Sequence, residues 1–257
     1  MRNNMCYRAV LSFIMMSVLC VYGDENPSTQ THSAVIPVAR PEKEGWMERH
    51  EQALERIAKE DVDLVFIGDS ITHRWESTGS NVWKTYYEPR NTLNLGFGGD
   101  RTEHVLWRLQ NGEVDGISPK LAVLMIGTNN SSHKDSAEQI AAGIKAICAE
   151  LRQRLPKTKI LILSIFPRGG SMTSRKDRSQ KTATMNSYWN KNNRASQMAS
   201  EIADHEMIFF LDINDAFLDE GGALSRDVTP DLLHPNERGY EIWAEAMEPT
   251  IKKLLGE

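Results

Sequence analysis

Five short, mostly apolar runs punctuate this chain, and each gives way to a stretch with helical periodicity. The runs are Val62–Ile67, Thr92–Phe97, Leu121–Ile126, Ile160–Phe166 and Met207–Ile213. Runs of this length with little polar alternation suit strands buried on both faces. Helical patterns flank them at Glu44–Glu60, Thr102–Gln110, Ala137–Arg154, Thr182–His205 and Asn236–Leu255. Alternation of this kind predicts an α/β fold with a mainly parallel sheet. Residues 169–184 break the rhythm and read as a long exposed loop after the fourth strand. In a parallel sheet that end of the strands is the binding edge, so the loop either lines a site or is simply solvated.

The N-terminus stands apart from this pattern. Arg2 and Arg8 precede an apolar stretch from Ala9 to Val21, and Gly23 offers a small residue for cleavage. Residues 1–23 therefore read as a secretory signal peptide, with a retained membrane anchor as the alternative. The stretch is short for a spanning helix, so no stable membrane insertion is expected after cleavage. An exported (periplasmic or extracellular) location follows. Residues 24–43 are polar, hold Pro27, Pro37 and Pro41, and read as a linker or extended arm; the domain proper is 44–257. Removing 1–23 takes Cys6 and Cys20 with it. Cys148 is then left alone, without a disulfide framework, and its helical surroundings predict a small buried hydrophobe. A net charge of −5 without a long basic run argues against nucleic acid as a partner.

Chemistry concentrates where the apolar runs end. Gly68-Asp69-Ser70 follows the first run and opens a helix-compatible stretch. That places a hydroxyl where backbone N–H groups favour negative charge, although a serine there can also serve only as a helix cap. A nucleophilic serine needs a base. Of seven histidines, His32 and His50 read as surface residues, and His205 closes a helical stretch. His73, His104 and His133 lie near the proposed edge. His234 differs, because Asp231 sits three residues before it and Pro235 follows as the expected first residue of a helix. Asp231 can then reach the second ring nitrogen of His234 and fix its tautomer; a turn-capping aspartate beside a solvent-facing histidine is the alternative. Gly99 and Asn129 follow the second and third runs, on the same edge as Ser70. A glycine N–H and an asparagine amide suit an oxyanion, while turn chemistry alone would also explain them. No Cys-x-x-Cys or His-Glu-x-x-His spacing suggests a metal. The glycines at 96, 98 and 99 lack dinucleotide-turn spacing.

These segments, in this order, resemble the GDSL or SGNH hydrolase family of esterases and lipases. The residues behind the second name fall at Ser70, Gly99, Asn129 and His234, and Asp231 matches the triad acid. Further blocks resemble the catalytic subunits of platelet-activating-factor acetylhydrolase within that family. They include Asn94–Asp100, His104–Leu109, Asn111-Gly112-Glu113, Val123–Asn130 and Phe166–Gly169. The resemblance spans roughly Asp61 to Leu255. It implies a three-layer α/β/α sandwich of flavodoxin type with about five parallel strands. It also implies Ser70 as nucleophile, His234 as base and then acid, and Asp231 as its orienter. The oxyanion hole would consist of the Ser70 and Gly99 N–H groups and the Asn129 side chain. No cofactor is implied. The related subunits form dimers, which makes a homodimer an expectation of the same kind.

Export shifts the expected substrate. An exported chain suits a small acyl ester, acetyl above all, on O-acetylated carbohydrate, since other exported members of the family remove sugar acetyl groups. The alternatives are a lysophospholipase, arylesterase or thioesterase on the same machinery, and a non-catalytic carbohydrate-binding module.

Overall fold

The computed structural model describes residues 32–170 and 180–257. The signal-peptide segment and most of the 169–184 loop lie outside the described residues. Five parallel strands form the main sheet: β1 (Leu64–Gly68), β2 (Thr92–Gly96), β3 (Leu121–Met125), β4 (Lys159–Leu163) and β6 (Ile208–Leu211). Their order is β2-β1-β3-β4-β6. This is the flavodoxin-type arrangement, in which the strand order reverses between β1 and β3 and opens a crevice at their carboxyl ends.

Both faces of the sheet are apolar because both are covered. Val65 and Ile67 of β1 join Leu93, Leu95, Ala122, Leu124, Ile160 and Ile162 on one side. There they meet α1 (Trp46–Ile57), α4 (Thr102–Gln110), α6 (Ala137–Arg154) and α7 (Ser187–Ser200). Leu64 and Phe66 turn the other way with Leu121, Val123, Met125, Leu161 and Leu163. They pack against α3 (Ser80–Tyr86), the Ile71–Trp75 segment and α8 (Glu237–Leu255). The period of two within each strand thus divides one sheet between two cores. The second core is aromatic: Trp75 lies 4.4 Å from Tyr240 and 4.9 Å from Trp243, and Phe66 lies 4.7 Å from Tyr87. The α/β/α sandwich is the one the sequence predicts. Cys148 is fully buried, and burial pushes its thiol up to about 12, which suits a packing role. Among the described residues, no helix is long and apolar enough to cross a membrane.

Four local expectations need correction. The stretch 182–205 is not one helix: Thr182–Ala183 forms β5, paired antiparallel with β7 (Leu224–Ser225), and the helix begins only at Ser187. Asn186 caps it by accepting from the Tyr188 and Trp189 N–H groups, and it ends at Ser200, well before His205. Pro235 is not the first helical residue. Asn236 is the cap, accepting from Gly239 N–H at 3.0 Å, and α8 starts at Glu237. His50 is buried, not on the surface. It lies on the inner face of α1 with Trp46, Ala53 and Ile57, and its Nδ1 is 2.8 Å from Glu113 Oε1. Lastly, the fifth run is not buried on both faces: every residue of β6, at the edge of the sheet, is only half-buried. Asn129 lies in a short helix, α5 (Thr128–Ser132), after β3.

Candidate active site

The end of β1 is shaped for a tight exit. A Cβ on Gly68 would lie 2.6 Å from Met125 O and collide with Thr72, so the strand can turn there only without a side chain. Asp69 caps the short helix α2 (Ser70–His73), its Oδ1 accepting from Ile71 N–H at 2.9 Å. Ser70 becomes the first residue of that helix, half-buried at the sheet edge. Tyr240 of α8 ties the two halves of the site together by donating to Ile71 O at 2.6 Å.

His234 arrives on a loop that Asp231 builds. Asp231 Oδ1 accepts from Leu233 N–H at 3.0 Å and His234 N–H at 2.6 Å, closing a turn. Leu232 takes a left-handed φ of 58° inside that turn. This conformation costs a β-carbon-bearing residue about 1–2 kcal/mol. It is held by burial and by Gly169 N–H, which donates to Leu232 O at 2.7 Å. The remaining Asp231 oxygen lies 2.6 Å from His234 Nδ1, and His234 Nε2 lies 2.8 Å from Ser70 Oγ. With Nδ1–H donating to the carboxylate, Nε2 is free to accept the Ser70 hydroxyl proton. Burial opposes ionisation of Asp231. Hydrogen bonds from the His234 ring and backbone outweigh it and hold the carboxyl at about 2.

The other two residues expected at this edge are also there. Gly99 adopts φ +78°, which favours glycine, and its N–H meets no backbone acceptor among the described residues. Asn129 Nδ2 donates to Asp100 O at 2.9 Å, which ties the amide to the turn that carries Gly99. Ser70, Gly99 and Asn129 follow β1, β2 and β3, so the three candidate donors gather at the crevice where the strand order reverses.

Beneath this edge lies a buried charged network that sequence reasoning missed. Asp100, fully buried, accepts from Trp46 Nε1 at 2.8 Å and Arg108 Nε at 2.9 Å. Arg108 also bonds Glu113 and stacks 3.9 Å over the Phe97 ring. Burial pushes Asp100 up to about 6, with Arg108 and Trp46 pulling the other way. Asp69 is a second buried carboxyl. Its Oδ2 has no hydrogen-bond partner, and burial raises it to about 7 against the pull of Ile71 N–H. Arg168, buried after β4, donates to Thr128 O at 3.0 Å and Ser132 Oγ at 2.7 Å and so braces α5. One signal could have exposed Arg108: a cation on the apolar stripe of α4 between Val105 and Leu109 demands a buried partner. Among the described residues no cluster of His, Cys, Asp or Glu could hold a metal.

A flavodoxin-type sheet whose crevice gathers an alcohol, an imidazole and a carboxylate defines the class as a carboxylic ester hydrolase. Comparison with known proteins agrees. The profile of the GDSL-like lipase/acylhydrolase family matches residues 66–242. The chain is 33% identical over 235 residues to the platelet-activating factor acetylhydrolase IB subunit alpha1 of Bos taurus, covering 91% of this chain and 92% of that protein. A GDSL-like lipase from Bacteroides thetaiotaomicron superposes with a TM-score of 0.63 at 20% identity, over 79% of this chain and 97% of its own. A carbohydrate acetylesterase family member from Sinorhizobium meliloti does so with a TM-score of 0.56 at 16% identity, over 76% and 99%. The chain belongs to the GDSL-like lipase/acylhydrolase family.

Proposed function

We propose that this hydrolase is an exported serine esterase that removes short acyl groups, acetyl above all, from O-acetylated carbohydrate. The observation that carries the chemistry is the relay Ser70 Oγ–His234 Nε2–Asp231, with contacts of 2.8 and 2.6 Å. Ser70 Oγ attacks the ester carbonyl while its proton passes to His234 Nε2. Asp231 holds the Nδ1–H and stabilises the imidazolium that forms. The carbonyl oxygen becomes an anion and is met by the Ser70 and Gly99 N–H groups and the Asn129 amide. Collapse of the tetrahedral intermediate expels the alcohol, which takes the proton from His234. Water then repeats the sequence on the acyl-serine, and Ser70 recovers its proton.

Two observations bear on the substrate. The apolar N-terminal stretch supports export, which puts polysaccharide within reach. The acetylhydrolase name of the relatives at 33% identity supports acetyl as the acyl group. The same name favours one second reading, an acetyl ester of a phospholipid. Acetate release is therefore measured from acetylated xylan, acetylated oligosaccharides and an acetyl-phospholipid in parallel, with Ser70→Ala alongside. The reading expects turnover of the carbohydrates, abolished by the substitution. Turnover of the phospholipid alone would overturn the carbohydrate assignment, and turnover surviving Ser70→Ala would overturn the relay.

A further inference from the structure

The residues before α1 do not end at the edge of the domain. A single 3-10 turn (Ser33–Val35) buries Ala34 completely against α4 and α6. Ala34 O accepts from Thr102 Oγ1 at 2.8 Å, in a space left by Gly143, where a Cβ would stand 2.8 Å from that oxygen. Val38 N–H then donates to Glu103 O at 3.2 Å. These contacts pin the segment to the first turn of α4, immediately after the glycine turn of the site. Arg40 reaches from there over the turn itself. Its Nη1 lies 3.5 Å from Gly98 O, 3.5 Å from Asp100 Oδ1 and 3.2 Å from the point that a Cβ on Gly99 would occupy. Its side chain is only 17% exposed.

We propose that Arg40 is a positioning residue for the oxyanion site, bridging the Gly98 carbonyl and the Asp100 carboxylate so that the turn presents Gly99 N–H and the Asn129 amide. The inference rests on the reading of those two groups as oxyanion donors. Charge is the first reason. Asp100 is an anion buried beside the place where the substrate oxygen becomes negative, and a like charge in a dry site opposes that step. Arg108 is shared between Asp100 and Glu113, so its single charge does not cover Asp100. His104, 3.9 Å from Asp100, does not supply the difference. Its Nδ1 accepts from Arg101 N–H at 2.9 Å, and burial keeps the ring neutral. Among the described residues Arg40 is the further cation in contact with Asp100; its other charged partner, Glu42, lies 3.9 Å from Nε and is exposed to solvent, so it screens Arg40 little. Geometry is the second reason. Asp100 O receives the Asn129 amide, so whatever fixes the Asp100 backbone fixes both donors together.

The test is made on the full domain with its N-terminal segment. Arg40→Gln, Arg40→Lys and Asn129→Ala are compared singly, and Arg40→Gln is combined with Asn129→Ala. The assay gives kcat and KM for p-nitrophenyl acetate, with unfolding midpoints measured on every protein. Arg40→Gln is expected to lower kcat about tenfold or more with KM within about twofold, since it acts through donors worth about a hundredfold each. Arg40→Lys restores part of the rate, and Arg40→Gln costs less when Asn129 is already alanine. Wild-type kcat in Arg40→Gln, or the same loss in both backgrounds, overturns the inference and leaves the oxyanion reading standing. Wild-type kcat in Asn129→Ala overturns that reading instead. Should Arg40→Gln lower the unfolding midpoint sharply, Arg40→Lys and Arg40→Met are compared at matched stability. Equal rates in that pair overturn the inference.

Discussion

Replacing Asp69 by asparagine should make the stability of this protein less sensitive to pH, by an amount that comes from the burial of one carboxyl. Asp69 is 0% exposed, one of its oxygens is unpaired, and its folded-state pKa lies at about 7 against an ordinary value of 3.8. Between those values the folded chain holds a proton that the unfolded chain has released. The Asp69 contribution to stability is therefore favourable at low pH and declines as pH rises through 7. From pH 5 to pH 8 the decline is about 2.5 kcal/mol, taking about 1.4 kcal/mol per pH unit over the interval where the two states differ in protonation. The substituted Asp69→Asn side chain keeps the cap on Ile71 N–H but cannot titrate. Its amide nitrogen leaves an unsatisfied donor worth about 1–3 kcal/mol, a cost independent of pH. Urea unfolding of both proteins at pH 5 and pH 8 isolates the effect, because every other ionisable group cancels to first order. The difference between variant and wild type should move by about 2.5 kcal/mol in favour of the variant over that interval. A difference constant within about 0.5 kcal/mol would mean that Asp69 ionises as an ordinary carboxylate, and the desolvation argument would fail.

Kinetics of single substitutions test the remaining groups. His234→Ala should lower kcat by at least about a thousandfold in p-nitrophenyl acetate hydrolysis, and a loss under about tenfold would remove it as the base. Asp231→Asn should cost nearly as much, because its single amide oxygen cannot both close the turn that carries the imidazole and accept from His234 Nδ1–H. Asn129→Ala should lower kcat about a hundredfold with little change in KM, and an unchanged kcat would remove the amide from the oxyanion site. Gly99→Ala combines a left-handed φ of 78° with a Cβ 3.2 Å from Arg40. It should lower kcat without lowering the unfolding midpoint by more than a few degrees, and full activity would contradict the required backbone geometry.

The sheet was legible because four of its five strands are buried on both faces, β6 alone being half-buried. Leu121–Met125 has no polar position to confuse with a helix face, and both cores need every residue of it. Among the candidate site residues, Ser70, Gly99 and Asn129 were legible because each lies just after an apolar run, and His234 because Asp231 precedes it by three residues. The features that stayed hidden depend on contacts between distant segments. The β5–β7 pair is two residues long on each side and carries no periodicity of its own. His50 is hidden because a polar residue on a charged helix looks solvated. Its spacing from Trp46, Ala53 and Ile57 places it on the buried stripe, and Glu113 needed a partner there. Arg40 could not be read at all, since nothing local announces that a cation well before Ser70 returns to the Gly99 turn.

The proposed chemistry turns on a covalent bond to one oxygen. Acid quench of the enzyme during turnover of p-nitrophenyl acetate, followed by peptide mass spectrometry, reads that bond directly. The acyl-serine route predicts an acetyl group on the peptide containing Ser70, located to Ser70 by fragmentation and accumulating in an initial burst of p-nitrophenol. Sustained turnover with no adduct, or with the acetyl group on any other residue, would contradict it.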